Sequence, residues 1–256
     1  MLSKVNFLDG EILYVNKPYG WTSFDAVKRT RGAILRRLHL SKIKVGHAGT
    51  LDPLATGVMI LTTGKATRRI EELQAGVKEY IATIALGATT PSFDLETEID
   101  ATYPTEHITE QLVREALEKF VGRIEQVPPA YSAIKVDGER AYKYARRGDE
   151  PVLKAKVLVI DEIELLEYSQ TSIIIRVVCS KGTYIRALAR DIGVALNSGG
   201  HLTALQRTRV GDVTLDMCLD IPKLVDIIKE VNVEWPENYP IPQRFLLSEQ
   251  ENQQEK

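Results

Sequence analysis

The stretch Gly46-His47-Ala48-Gly49-Thr50-Leu51-Asp52-Pro53-Leu54-Ala55-Thr56-Gly57 brings one carboxylate, one imidazole and three glycines into a short span. Glycine accepts positive φ at little steric cost, so the segment can turn tightly. Pro53 bars Asp52 from the α region and pushes it toward an extended conformation. One acidic side chain is thus held out from a turned loop, with the apolar run Val58-Met59-Ile60-Leu61 anchoring it behind. A single well-aimed carboxylate of this kind can do covalent work as a nucleophile. Two other readings compete. Asp before Pro is also a common helix start, with Asp as N-cap and Pro at the first helical position, and on spacing alone this is the stronger reading. Phosphate binding by Gly57…Gly64-Lys65 fails, because a P-loop needs four residues between the glycines and Ser or Thr after the Lys. Here six intervene and Ala66 follows.

Several elements must position this loop. Glu11–Asn16 alternates as a strand does, and Pro18 and Gly20 then turn the chain. Thr22 or Ser23 can cap a helix whose apolar residues Phe24, Val27, Ile34, Leu35 and Leu38 repeat at helical spacing. Lys42–His47 reads as a short strand entering the loop, and Ala66–Gln74 as a helix. Beyond them, Glu79–Leu86 is a strand with Tyr80, Ala82, Ile84 and Leu86 on one face. A helix is expected from Thr109 through Gly122, an extended segment from Pro128 to Val136, and helical character over Arg140–Arg147. Leu153–Glu167 and Ser172–Ser180 suit two long strands, antiparallel neighbours. Thr183–Asn197 reads as a helix, His201–Leu215 as strands, Leu219–Val231 as a short helix, and Gln250–Lys256 as disordered tail. Strands and helices in irregular order argue α+β rather than a doubly wound sheet.

Composition narrows the function classes. With 256 residues, 44% hydrophobic and 27% charged, the chain can bury a real core and is ordinary for a soluble protein. No apolar run approaches the ~18 residues a membrane span needs, so a cytoplasmic location is expected. Cys179 and Cys218 lack CxxC spacing, and the four histidines lack ligand spacing, so neither a disulfide framework nor a metal is implied. The net charge of −2 hides an uneven distribution. Thr22–His47 holds seven Lys or Arg against Asp25 alone, and Lys135–Lys156 holds seven against four acids. Basic patches on a near-neutral protein suit a polyanionic partner, although a solvated helix face gives the same pattern.

The loop around Asp52 resembles the signature of the TruB family, the bacterial tRNA pseudouridine-55 synthases. Five further segments resemble family motifs, in family order: Asn16-Lys17-Pro18-Tyr19-Gly20-Trp21-Thr22-Ser23, Lys78-Glu79-Tyr80, Gln126-Val127-Pro128-Pro129-Ala130-Tyr131-Ser132-Ala133-Ile134-Lys135, Cys179-Ser180-Lys181-Gly182-Thr183-Tyr184-Ile185-Arg186 and Leu205-Gln206-Arg207-Thr208. The resemblance implies the pseudouridine synthase fold, a mixed, largely antiparallel sheet flanked by helices with a central catalytic cleft. It implies isomerisation of uridine to pseudouridine in the T loop of tRNA, on a base flipped out of its stack. Asp52 would be the nucleophile, Arg186 the cation that keeps it ionised, and Tyr80 would lie against the uracil. His47 would fill the vacated space, and Tyr184 and Leu205 would wall the pocket. Pattern alone would make Arg186 a surface residue and Tyr80, Tyr184 and Leu205 core. Lys17, Arg207 and the arginines of the first helix would contact phosphate, and Lys135, Arg146 and Arg147 would lie on a segment, residues 124–152, that clasps the T arm.

No cofactor, metal, membrane or guide RNA is expected, and a monomer is expected. The catalytic domain would cover residues 1–221, followed over 222–256 by a short remnant with an acidic, disordered tail in place of a full PUA domain. An RNA-binding or RNA-folding factor, or a synthase acting on a uridine of another RNA, is the alternative.

Overall fold

The computed structural model of the chain describes residues 4–132, 134–136, 138–149 and 151–254. They form two compact units, Met1–Gly76 with Arg209–Lys256, and Val77–Thr208.

The first unit begins with β1 (Lys4–Val5), β2 (Ile12–Lys17) and α1 (Ser23–Leu38). Next come β3 (Val45–His47), β4 (Ala55–Thr63), a 3-10 turn over Gly64–Arg69 and α2 (Ile70–Ala75). β2 and β3, the strands expected over Glu11–Asn16 and Lys42–His47, both pair antiparallel with β4, which takes up the apolar run after Asp52. Thr22 caps α1: its hydroxyl accepts from Asp25 N at 3.1 Å, and the Asp25 carboxylate accepts from Thr22 N at 2.9 Å.

The second unit begins with β5 (Lys78–Leu86), a small hairpin of β6 (Ala88–Thr89) and β7 (Ala101–Thr102), α3 (Glu110–Glu118) and β8 (Gly122–Gln126). β9 (Lys135–Val136) and β10 (Glu139–Arg140) form a second hairpin before α4 (Ala141–Arg146). Then come β11 (Lys156–Ser169), β12 (Ser172–Cys179), α5 (Ile185–Ala195) and β13 (Gly200–Val210). β8, β11, β12 and β5 pair antiparallel in that order, and β13 lies beside β5. Along β5 burial alternates without exception, with Lys78, Tyr80, Ala82, Ile84 and Leu86 inward. Helix α3 stops at Glu118 rather than Gly122, because Gly122 already opens β8 with φ 94°.

The chain then returns to the first unit through β14 (Val213–Thr214), β15 (Leu219–Asp220), α6 (Ile221–Glu230), β16 (Asn232–Val233) and α7 (Gln243–Gln254). β15 adds to β2 in parallel, and β1 pairs with β16 in parallel. The expected α+β class with a mixed, largely antiparallel sheet therefore holds.

The segment after residue 221 is no loose appendage. Leu224, Val225, Ile228, Val231 and Phe245 share a core with Val27, Ile34 and Leu38 of α1. The acidic tail that composition marks as disordered is helical through Gln254, with Glu255 and Lys256 outside the described residues. Phe245 is buried there, Arg37 lies over its ring at 5.1 Å, and Arg37 pairs with Glu249 at 2.9 Å. Local polarity missed this helix because its anchors come from α1, two hundred residues away in sequence. Among the described residues no helix is long and apolar enough to cross a membrane.

Candidate active site

In the first unit no helix begins at Asp52. Ala55 N donates to Asp52 O at 3.1 Å, closing a turn with Pro53 at its second position, and Ala55 then opens β4. The helix-cap reading, the stronger one on spacing, therefore fails: the chain runs from the turn directly into a buried strand. Gly49 and Gly57, with φ of 102° and 108°, supply the backbone freedom on either side.

Two buried side chains brace the loop from below. Ser23 Oγ donates to Leu51 O at 3.0 Å and accepts from Leu51 N at 2.8 Å, tying the residue before Asp52 to the first turn of α1. Lys17 Nζ donates to Pro53 O at 3.2 Å, Trp21 O at 2.6 Å and Pro18 O at 3.0 Å. Lys17 is 0% exposed. The phosphate-contact role expected of it is thus corrected: its ammonium is buried among backbone carbonyls of the loop and of the β2–α1 connection. His47 is half-buried at the end of β3, where its register partner is Leu61.

In the second unit Arg186 sits in the first turn of α5 and is buried, not the surface arginine that pattern alone suggests. Its guanidinium donates to Ser92 O at 3.2 Å and Tyr131 O at 3.0 Å, and its Nε lies 3.5 Å from Asp94 Oδ2. Asp94, also buried, accepts further from Ser92 Oγ at 2.6 Å and Glu96 N at 3.0 Å. A charge buried this deeply needs such a set of partners, since an unpaired one costs several kcal/mol. Tyr80 is buried on β5, and Tyr184 and Leu205 are half-buried.

Gln126, which the sequence places in a family motif without a role, is a buried side chain that braces the second unit. It is 1% exposed; its Oε1 accepts from Tyr184 N at 2.9 Å and its Nε2 donates to Tyr184 O at 3.2 Å. One amide thereby fixes the backbone at the start of α5, between Tyr184 and Arg186. Asp94 was missed for a different reason: it lies in the acidic, aperiodic connection after Phe93, where nothing in the local pattern distinguishes it. Neither residue carries a spacing signal, because both act on partners more than 50 positions away.

Arg207 is 1% exposed, which corrects its expected role as a phosphate contact. It lies near Lys78, also buried, and burial followed by the Arg207 charge pushes the Lys78 amine down to about 8. Burial likewise pushes the neighbouring Cys179 thiol up to about 11. In the 124–152 segment, Lys135, Arg140, Arg146 and Arg147 are exposed. Arg147 pairs with Glu139 at 2.9 Å and Asp149 at 3.3 Å, and Arg146 lies 5.4 Å from the Tyr142 ring centroid. Ala133, Asp137 and Glu150 lie outside the described residues.

Residues 36–185 match the model of the TruB family pseudouridylate synthase N-terminal domain, and residues 186–241 that of the tRNA pseudouridylate synthase B C-terminal domain. The chain belongs to the TruB family. A Phocaeicola vulgatus protein named tRNA pseudouridine synthase B is 66% identical over 230 residues, covering 90% of this TruB chain and 98% of its own length. A Bacteroides fragilis protein of the same name is 67% identical over 230 residues, covering 90% and 99%. Among solved structures, a Cbf5-Nop10-Gar1 complex aligns at TM-score 0.63 and 29% identity over 88% of this chain. An H/ACA RNP bound to a substrate RNA containing 2'-deoxyuridine aligns at 0.60 and 28% over 84%. This TruB chain spans 57% and 52% of those two solved chains.

Proposed function

We propose that this protein is a tRNA pseudouridine synthase that isomerises uridine 55 in the T loop. The reaction breaks the bond from ribose C1′ to uracil N1 and joins C1′ to C5; the C5 proton is lost and N1 gains one, with no net redox change. Asp52 supplies the nucleophilic carboxylate. The observation that carries this reading is the seat of Asp52. It is presented from a glycine-flanked turn whose neighbours Leu51 and Pro53 are held by Ser23 and Lys17, instead of capping a helix.

Tyr80 stacks on the uracil and helps remove the C5 proton, and Arg186 supplies the positive charge of the site. His47 takes the place of the extruded base, with Tyr184 and Leu205 as walls. Extrusion costs a few kcal/mol, and stacking on the exposed bases returns ~1–3 kcal/mol. The 124–152 segment clasps the T arm through Lys135 and Arg146, and the enzyme works as a cytoplasmic monomer without guide RNA. Names of close relatives support the tRNA substrate, since two proteins over 60% identical to this chain are tRNA pseudouridine synthase B by name.

The test is incubation of the purified protein with unmodified tRNA, followed by mapping of pseudouridine. The expected product is a single pseudouridine at position 55, absent with Asp52→Asn although that variant still binds. Product elsewhere, or in another RNA only, favours a different substrate. Undiminished product from Asp52→Asn refutes the assignment of the nucleophile.

A further inference from the structure

Among the described residues, the non-glycine positions with positive φ are His39, Phe93, Asn197 and Asn238. Histidine and asparagine tolerate that region, and His39 uses it to close α1. Phe93, with φ of 62°, is the exception. A bulky side chain there is strained, because its Cβ crowds the following carbonyl oxygen, and glycine is the usual occupant. Strain of this kind persists only where the surroundings over-determine it, and it gathers at functional sites.

The bonds around Phe93 are such a set. Its N–H donates to Thr90 O at 3.0 Å, and its carbonyl accepts from Leu202 N of β13 at 2.9 Å. The residues on either side, Ser92 and Asp94, are both buried, and each supplies an acceptor to the same guanidinium. Ser92 O accepts from Arg186 Nη1 at 3.2 Å, and Asp94 Oδ2 lies 3.5 Å from Arg186 Nε. The Phe93 torsions lie between these two acceptors along the chain, so they set how the pair converges. Thr90 Oγ1 closes the turn by donating to Asp94 O at 2.7 Å. The ring is gripped as well. The Arg190 guanidinium lies 4.8 Å from the Phe93 ring centroid, a cation–π distance, and is itself anchored by Asp191 Oδ1 at 2.8 Å and Val127 O at 3.2 Å. Arg190 follows Arg186 by four residues, so both stand on one face of α5. One helix thereby holds the 92–94 turn twice, by its flanks through Arg186 and by its ring through Arg190.

We infer that Phe93 is a positioning residue for the isomerisation: its left-handed backbone, pinned through the ring by Arg190, aims Ser92 O and Asp94 at Arg186 and so fixes the orientation of that guanidinium. The inference rests on the reading of Arg186 as the positive charge of the site, and adds what orients that charge. A guanidinium is a rigid planar fork, so displacing either acceptor turns all of its donors together. Phe93 acts through Arg186 alone and has no share in binding the RNA.

The test measures kcat and KM on unmodified tRNA for Phe93→Gly, Phe93→Tyr, Arg190→Gln and the double variant Phe93→Gly/Arg190→Gln. The full chain is used, well below each variant's melting midpoint, where a merely structural role would leave kcat unchanged. Phe93→Gly releases the strain and removes the ring, and Arg190→Gln removes the pin. Misplacement by ~1 Å costs about 10²-fold in rate, so each should lose at least about tenfold in kcat with KM within about twofold of wild type. Phe93→Tyr keeps the ring and should recover kcat to within about twofold. The double variant separates the ring contact from the bonds of Arg190 to Asp191 and Val127. Adding Phe93→Gly to Arg190→Gln should cost less than about threefold further, because both act through one contact. A smaller kcat loss in either single variant, a loss carried by KM, a larger loss in Phe93→Tyr, or a larger further loss in the double variant overturns the inference. Should Phe93→Gly fail to fold, Phe93→Asn, whose side chain tolerates positive φ, takes its place with the same expectations. A wild type that makes pseudouridine in tRNA while Phe93→Gly keeps its kcat overturns this inference alone. A wild type that makes none overturns the functional reading beneath it.

Discussion

Replacing Lys17 with Met tests whether the Asp52 loop is held from within. The ammonium makes three hydrogen bonds to carbonyls, at 2.6, 3.0 and 3.2 Å, in a site with no exposed surface. Hydrogen bonds from a charged donor contribute about 1.5–3 kcal/mol each, so the gross loss is roughly 5–9 kcal/mol. Offsetting this, methionine avoids the several kcal/mol needed to desolvate an ammonium while filling the same stem volume. A net loss of about 3 kcal/mol follows, equivalent to about 6–12 °C in Tm for a chain of this size. Because Pro53 is one of the three acceptors, Asp52 also loses its fixed position. Misplacement by ~1 Å costs about 10²-fold in rate, so kcat should fall by about that factor. The salt dependence of tRNA binding should stay as it is, because a buried ammonium releases no counterion from RNA. Thermal melts, steady-state kinetics and salt-dependent binding together read the outcome. An unchanged Tm with a raised KM and a shallower salt slope would refute the reasoning and return Lys17 to a phosphate contact.

Three other expectations concern the second unit and the substrate. Gln126→Leu leaves Tyr184 N–H and C=O without their amide partner and should cost about 2–3 kcal/mol in urea unfolding, with kcat reduced more than KM is raised. Gln126→Glu, which keeps an acceptor for Tyr184 N, should recover part of both losses; full activity in Gln126→Leu would count against a positioning role. Lys78 has a folded pKa of about 8 against 10.5 for the free amine, so between these values the unfolded chain binds more protons and stability rises with pH. Cys179, raised to about 11 from 9.0, works in the opposite direction from pH 9 upward, which leaves pH 8–9 as the clean window. The rise in that window should disappear in Lys78→Met, measured by denaturant titration at each pH, and its persistence would place the titration elsewhere. A T-arm stem-loop should be nearly as good a substrate as full tRNA, within about tenfold in kcat/KM or ~1.4 kcal/mol in transition-state binding; a much larger preference for the full tRNA would show that contacts beyond the T arm matter.

Sequence and structure agree where information is local. Alternation along Lys78–Leu86, the capping signal of Thr22 with Asp25, and the turn chemistry of Gly49, Pro53 and Gly57 all act within a few residues of where they are written. The family motifs, a pattern spread along the chain, identified the loop that bears Asp52. Charge was the deceptive signal. Lys17, Arg186 and Arg207 all look like surface cations by composition, yet each is buried. Arg37 and the acidic tail look solvated, yet they close a helix onto α1.

The chain by itself determined most of its strands and helices and its α+β class, and the resemblance of its motifs singled out Asp52. Tertiary structure alone decided which cations are exposed and which brace the fold. It also decided that Asp52 leads into a strand instead of capping a helix, and that Gln126 and Asp94 seat the start of α5. The physical reason is the range of the forces. Backbone preference and hydropathy period are set by near neighbours, whereas the cost of burying a charge depends on carbonyls and carboxylates that only the folded chain brings within hydrogen-bonding distance.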